Sequence, residues 1–170
     1  QYTTDNNAFD NSAGLNFTAI LGDGIHPDSA YDYNGNIRHM QQMGWKTNSS
    51  TLIDDLRYDY TATSNKLKKV TDAVSDPNTT LGDFKDNNNS GDDYFYDVNG
   101  NLIQDNNKKI TKILYNHLNL PYEINIHGIG KIVYTYDNAG TKWMKEVYDS
   151  TVSPVLKTTW TYLDNFVWRN

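Results

Sequence analysis

Apolar and polar side chains alternate along much of the second half of the chain, as they do in half-buried antiparallel strands. In the segment 122–127, Tyr122, Ile124 and Ile126 would share one face of an extended strand, and their neighbours in sequence are polar. The same period of two recurs in the segments 131–137, 141–148 and 155–162. The sequence therefore predicts an antiparallel strand in each of these segments.

The first half of the chain is less regular. Residues 1–30 are rich in Asn, Asp and Gly around an apolar island at 15–21, and we expect a loop-rich N-terminal segment there. A second Asn- and Asp-rich stretch, at about 72–93, is predicted to be an insertion between hairpins, because such a long loop is unusual inside a compact domain. The best helix candidate is the segment 49–56, for which a strand is an equally good prediction.

A short motif repeats along the chain. Its clearest copies, at 31–37 and 96–102, read Tyr-Asp-x-Asn-Gly-Asn followed by an aliphatic residue. A weaker copy occupies 136–142, and degenerate copies begin at Tyr60 and Tyr115. The residues predicted to form these repeats are Tyr31, Asp32, Gly35, Asn36, Tyr60, Asn65, Tyr96, Asp97, Gly100, Asn101, Tyr115, Tyr136, Asp137 and Gly140.

Each copy has a mechanical interpretation as a strand, a tight turn and a second strand. An Asn-Gly pair accepts positive φ at both central positions of a hairpin turn, and Asn34-Gly35 and Asn99-Gly100 fit that requirement. The Asp after the Tyr can accept hydrogen bonds from backbone N–H groups of the turn. The predicted fold is all-β, with antiparallel β-hairpin repeats over residues 31–170 forming a curved sheet.

Composition supports this fold and excludes several functions. Of 21 acidic residues only Glu123 and Glu146 are Glu, and a chain rich in Asp, Asn, Tyr and Thr favours short strands and turns. A formal net charge of −6 disfavours a nucleic-acid partner, which needs clustered cations. The chain has no Cys, which excludes disulfides and thiol chemistry, and no apolar run long enough for a membrane helix.

The recurring Tyr-Asp-x-x-Gly-Asn motif resembles the YD repeats of Rhs proteins, teneurins and insecticidal toxin complexes. The resemblance covers nearly all of residues 31–166. The order of the parts is similar to that of the Rhs-like proteins of Bacteroidetes, in the repeat region ahead of the Rhs core. These parts are the segments 31–38, 56–70, 82–86, 96–102, 115–121 and 134–142.

This resemblance implies a fold and a function for a longer protein. In relatives, YD repeats wind as a spiral of β-hairpins into a hollow shell, which in many bacterial members encloses a C-terminal toxin. We therefore expect a slice of a spiral β-shell, an excised or mature fragment that begins at Gln1 and lacks both the self-cleaving core and the toxin. The expected location is secreted or on a bacterial cell surface, and the expected partner is the remainder of the same polypeptide.

One loop has the spacing of a calcium ligand set. Asp86, Asn88, Ser90 and Asp92 place oxygen atoms at alternate positions, and Asp97 falls at the twelfth, as in loops of the EF-hand type. Asp97 is shorter than the usual Glu and belongs to a repeat, so a solvated loop is the competing interpretation. Apart from this calcium candidate, the sequence predicts no cofactor.

The remaining candidate chemistry is aromatic. Trp143 and Trp160 could form a platform that binds a carbohydrate or a protein, although packing between hairpins uses the same residue types.

The chain has no nucleophile elbow, phosphate loop or dinucleotide motif, so we expect no enzymatic activity. The expected function is a non-catalytic structural segment, and the alternative is a binding module that uses exposed Tyr and Trp. Open sheet edges predict strand pairing with another protein or with a second copy.

Overall fold

The computed structural model describes residues 2–3, 8–9, 17–46, 49–74, 82–88, 90–153, 155–163 and 165–170. These residues are nearly all in β-strands or in the turns between them, and the strands pair antiparallel. The all-β fold class is therefore confirmed. The chain forms two compact units, Gln1–Asn89 and Ser90–Asn170.

The first unit contains a four-stranded antiparallel sheet. Its strands follow the chain order, β3-β4-β5-β6, and a separate two-stranded pair is formed by β1 and β2. A single helical turn, α1 (Pro27–Ala30), lies between β3 and β4. The bounds are β1 Tyr2–Thr3, β2 Ala8–Phe9, β3 Ala19–Leu21, β4 His39–Lys46, β5 Ser49–Tyr60 and β6 Leu67–Asp72.

A small apolar core lies in this unit, and a β-bulge shapes it. Ile53 and Leu56 of β5 are both buried, although residues three apart point to opposite faces of a regular strand. The register shifts between β4 and β5, where Gln42 pairs with Asp54 but Met43 pairs with Leu52. Ile53 is thus the extra residue of a bulge, which reverses the alternation.

The second unit is an eight-stranded antiparallel sheet in strict sequential order. The strands run from β14 at one edge to β7 at the other, and each pairs with its neighbours in sequence. The bounds are β7 Tyr94–Tyr96, β8 Leu102–Asp105, β9 Ile110–Tyr115, β10 Pro121–Ile126, β11 Gly130–Tyr136, β12 Lys142–Asp149, β13 Leu156–Leu163 and β14 Phe166–Arg169. The strands predicted from two-residue alternation correspond to β10, β11, β12 and β13.

Three sequence predictions about organisation compare with the structure as follows. The segment 49–56 is part of strand β5, not a helix. Within the expected loop-rich N-terminal segment at 1–30, strand β3 pairs with β4 in the sheet of the first unit. The expected insertion at about 72–93 lies partly outside the described residues. Strand β6 ends at Asp72, and the described segments 82–88 and 90–93 contain no strand or helix.

The structure also bears on membrane insertion. Among the described residues, no helix is long and apolar enough to cross a membrane.

Candidate functional site

The turn of the first repeat is closed by its own aspartate. The backbone N–H of Gly35 donates to the Asp32 carbonyl at 3.1 Å, and the Asp32 N–H donates to the Asn36 carbonyl at 2.9 Å. The Asp32 carboxylate then accepts the backbone N–H groups of Asn34 and Asn36, both at 2.9 Å. One side chain therefore satisfies two turn donors that no strand partner reaches.

The same geometry recurs three times in the second unit. Asp97 accepts the N–H groups of Asn99 and Asn101, and Asp137 accepts those of Ala139 and Thr141. In the degenerate copy, the Asn116 side chain takes the place of Asp and accepts the N–H groups of Leu118 and Leu120. Since an amide oxygen performs the same task, the turn requires an acceptor at this position and not a charge.

The predicted turn type is wrong in one respect. Positive φ occurs at Gly35 (83°) and Gly100 (88°), but Asn34 and Asn99 have negative φ. The loop is therefore a type I turn followed by one left-handed residue, the usual three-residue hairpin connection, and not a two-residue turn with positive φ at both positions. Asn119, at 57°, occupies the left-handed position in the degenerate copy.

The copy that begins at Tyr60 has a different turn. Thr63 takes the positive φ, at 59°, and the Thr61 N–H donates to the Lys66 carbonyl at 2.9 Å. Lys66 donates its N–H to the Ser64 hydroxyl at 3.2 Å. This loop is one residue longer and has no Asp at its second position, which explains why its motif is hard to recognise.

Tyrosine hydroxyls connect successive repeats. The Tyr60 hydroxyl donates to the Ile37 carbonyl at 2.9 Å, directly after the first turn. The Tyr115 hydroxyl donates to the Leu102 carbonyl at 2.7 Å, and the Tyr136 hydroxyl donates to the Pro121 carbonyl at 2.9 Å. In each case the tyrosine that begins one repeat reaches the residue that follows the turn of the preceding repeat.

Asparagine side chains add a second connection. The Asn36 amide donates to the Asp32 carboxylate at 2.9 Å and to the Asn65 side chain of the next repeat at 3.0 Å. The Asn101 amide does the same with Asp97 at 3.0 Å and with Asn119 at 2.9 Å. The sequence motif predicted the turn, but it gave no indication of these links between repeats.

The turn carboxylates are stabilised in their charged form. Hydrogen bonds from Asn36 hold the pKa of Asp32 below its ordinary value, and the backbone N–H of Thr141 does the same for Asp137. Burial acts to raise the pKa of Asp97, but the hydrogen bonds from Asn101 and Asn99 outweigh it and lower that pKa. These acids are thus held as acceptors and are poor proton donors near neutral pH.

A second group of acids lies in the first unit and has a different environment. Asp54, Asp72 and Asp83 each offer a carboxylate oxygen, and these oxygens lie within 4.8 Å of one another. Only 2% of Asp54, 8% of Asp72 and 7% of Asp83 is exposed. Asp54 follows the bulged residue of β5, Asp72 ends β6, and Asp83 comes from the segment 82–88.

Hydrogen bonds fix this segment against the strands. The backbone N–H of Phe84 donates to Asp54 Oδ1 at 2.7 Å, and the Asp72 N–H donates to Asp86 Oδ2 at 3.3 Å. Burial raises the pKa of Asp54, and the neighbouring charges of Asp72 and Asp83 add to that rise. We name Asp54, Asp72, Asp83 and Asp86 the acidic cluster.

The residues predicted to form a calcium loop fall into both units. Asp86 and Asn88 belong to the first, and Ser90, Asp92 and Asp97 belong to the second. The Asp97 carboxylate accepts turn hydrogen bonds, and Asp86 accepts the Asp72 N–H. Asp86 is thus the only member common to the predicted loop and the acidic cluster. The cluster itself was missed, because Asp54, Asp72 and Asp83 are far apart in sequence and a bulge brings Asp54 to it.

The two candidate platform tryptophans differ in environment. Trp143 is 57% exposed, whereas Trp160 is half-buried. Lys145 and Arg169 lie over the Trp160 ring, at 4.8 and 5.5 Å from its centroid. Two cations therefore occupy space over the ring of Trp160, and Trp143 is the more accessible of the pair.

Comparison with known proteins gives no assignment. No protein-family model matches the chain, and no curated protein matches it either.

Proposed function

We propose that the chain is a non-catalytic structural segment, a run of β-hairpin repeats from a secreted or cell-surface protein of the YD-repeat class. The link between repeats is the observation that carries this proposal. Tyr60, Tyr115 and Tyr136 each donate a hydroxyl hydrogen bond to the residue after the preceding turn. The motif residues are therefore used to hold one hairpin to the next.

The use of the repeated acids supports a structural role. In the Asp97 repeat, Oδ1 accepts two backbone N–H groups and Oδ2 accepts the Asn101 amide. A general acid or base needs an oxygen that is free to meet a substrate, and a pKa near the working pH. The Asp97 carboxylate has neither property, because both of its oxygens accept hydrogen bonds and its pKa is lowered.

The longer protein that we propose is a shell. Sequential antiparallel strands with short turns are the order that a spiral of hairpins requires, and β7–β14 follow it without a crossover. In this proposal the chain forms part of the wall, and the complete protein encloses or presents a C-terminal toxin or other effector. The resemblance of the repeats to Rhs proteins supplies this part of the proposal.

Electron microscopy of the polypeptide at its natural length tests the shell directly. We expect a hollow particle whose wall is β-sheet, with the segment corresponding to residues 90–170 traced in the wall. A solid globular particle, or one in which this segment lies outside any enclosed space, would refute the shell.

The exposed apolar side chains of the hairpin formed by β13 and β14 favour a second candidate function, which is binding through an edge strand. Phe166 is 68% exposed and Trp168 is 71% exposed, and both lie on edge strand β14. An edge strand with apolar side chains is a template for pairing with another strand.

Two measurements test binding. Sedimentation at increasing concentration should show association that Trp168→Lys reduces, whereas a strict monomer would contradict edge pairing.

A glycan array with the parent and Trp143→Ala tests the aromatic platform, and equal binding by both proteins would exclude Trp143 from it.

A further inference from the structure

The acidic cluster concentrates negative charge where solvent is scarce. Three of its carboxylates lie within 4.8 Å of one another and are more than nine-tenths buried. Lys85 contacts Asp83 at 3.0 Å and supplies one positive charge. Burying several carboxylates beside one cation is costly unless further positive charge or protons compensate them.

Two oxygens of the cluster have unused lone pairs. Asp72 Oδ1 accepts the backbone N–H groups of Asp55 and Val74, at 2.9 and 3.1 Å. Asp72 Oδ2 is buried, and so is Asp86 Oδ1, and neither has a hydrogen-bond partner in the part of the chain that the structure describes. Buried polar atoms nearly always have a partner, so these two oxygens require an explanation.

A buried acid in the second unit, Asp105, shows how a buried carboxylate ordinarily has a partner for each oxygen. Asp105 is 2% exposed, and its Oδ1 accepts the backbone N–H of Lys108 at 3.0 Å. Its Oδ2 lies 3.6 Å from the ammonium group of the same lysine. Both oxygens of this carboxylate therefore have a partner, unlike those of Asp72.

We propose that Asp54, Asp72 and Asp83 bind one calcium ion, with Asp86 as a further ligand. Calcium takes six to eight oxygen ligands at about 2.3–2.6 Å, so two oxygens on opposite sides of the ion lie roughly 4.8 Å apart. The separations among the carboxylate oxygens of Asp54, Asp72 and Asp83 fall within that limit. All the proposed ligands are carboxylates, which suits a hard cation that prefers oxygen ligands.

Other divalent ions fit less well. Zinc sites in proteins are built mainly from His and Cys, and the acidic cluster contains neither. Magnesium keeps several waters and usually takes one or two carboxylates in a strict octahedron. Three buried carboxylates and a fourth at their margin exceed that requirement.

The proposed ion would join sequence-distant parts of the first unit. Asp54 is on β5, Asp72 is on β6, and Asp83 and Asp86 are on the segment 82–88. Backbone hydrogen bonds of Phe84 and Asp72 also connect this segment to those strands. We therefore expect calcium to stabilise this segment on the sheet. The proposed calcium site contains no residue of the repeat turns. A result that refutes calcium binding would therefore leave the proposed structural role of the repeats unaffected.

Calorimetric titration of the full chain, after removal of metals with a chelator, tests the proposal. We expect one calcium per chain, with a dissociation constant of about 10⁻³ M or tighter, the range of calcium sites in proteins. Thermal unfolding in calcium should occur at a higher temperature than in chelator, because the ion binds only the folded state. The proposal would be overturned if about 10 mM calcium produced no binding heat and no shift in the unfolding temperature. That concentration is tenfold above the weakest of these dissociation constants.

Three variants locate the ion. Asp72→Asn and Asp54→Asn should each weaken calcium binding at least about tenfold, since each removes a charged ligand. Asp59→Asn is the control, because Asp59 is exposed on the same strand as Asp54. It should bind calcium as the parent does, and unchanged binding by Asp72→Asn would place the ion elsewhere.

The alternative to a bound calcium ion is a proton shared among the carboxylates of the acidic cluster. In chelator, Asp54→Asn should be at least as stable as the parent, because it removes one of the converging charges and keeps an acceptor for Phe84. In calcium, the parent should become the more stable protein. A parent that gains nothing from calcium, or gains as much from magnesium at the same concentration, would refute the calcium site.

Discussion

The repeat turns and the acidic cluster use the same side chain in opposite ways. In the turns, each aspartate faces backbone N–H groups a few residues away, and its pKa is lowered. In the cluster, Asp54 faces other carboxylates from distant parts of the chain, and burial raises its pKa. The role of an aspartate here is therefore set by the groups that its oxygens face.

This difference separates what is local from what is not. A turn needs only residues that are close in sequence, so a motif can encode it completely. The cluster needs a bulge in β5, the end of β6 and a loop residue to meet, and no short motif can encode that. The two regions should consequently respond differently to substitution and to pH.

Left-handed backbone at the end of the turn is the strictest local requirement, and Gly35→Ala should have the largest effect on the turns. Gly35 has φ of 83°, and an added Cβ would meet nothing within 4 Å, so the cost is conformational and not steric. We expect a loss of about 1–2 kcal/mol in the free energy of unfolding. Chemical denaturation, with hydrogen exchange to identify the first unit, measures it.

Gly35→Asn is the matched control for that prediction. Asn119 adopts the same conformation in a related turn, so Asn at position 35 should cost distinctly less than Ala. Equal losses for Ala and Asn would contradict the backbone explanation.

The sequence predicted the parts that depend on local pattern. Alternation gave β10 to β13, and the Tyr-Asp motif gave the turn positions and the acceptor role of Asp32, Asp97 and Asp137. The exact turn type was missed, because Asn-Gly suits more than one hairpin turn and the Asp side chain selects between them. The Tyr115 hydroxyl link was missed because it joins two repeats whose separation varies along the chain.

The acidic cluster was missed for a different reason. Alternation in a strand places Asp54 and Asp55 on opposite faces, and in the structure Asp55 contacts His39 at 2.5 Å whereas Asp54 turns to the cluster. Alternation alone cannot show which distant residues Asp54 meets. Pairing register and the bulge at Ile53 decide that, and both are tertiary properties.

Acid should affect the two regions with opposite sign. The folded-state pKa of Asp97 is lowered, so its contribution to stability is present above the unfolded pKa of about 3.9 and is lost as pH falls through the folded value. The folded-state pKa of Asp54 is raised, so its contribution is greatest below about pH 3.9 and is lost as pH rises through the folded value. Carboxyl NMR titration in chelator measures both directly.

Matched amides check the assignment. Asp97→Asn should lose less stability than the parent as pH falls below about 4, since the amide cannot be protonated there. Asp54→Asn should remove the decline that accompanies rising pH. If the carboxyls of Asp54 and Asp97 titrate at the same pH, the contrast between cluster and turn would not hold.

The link between successive hairpins is the central claim, and Tyr115→Phe tests it most directly. The substitution removes the hydroxyl that donates to the Leu102 carbonyl at 2.7 Å and keeps the ring. Tyr33→Phe is the control, because Tyr33 is fully exposed. The measurement is the difference between the two variants in the free energy of unfolding. We predict that Tyr115→Phe costs about 1 kcal/mol and Tyr33→Phe close to nothing; equal values for the two would contradict a structural role for the repeated tyrosine.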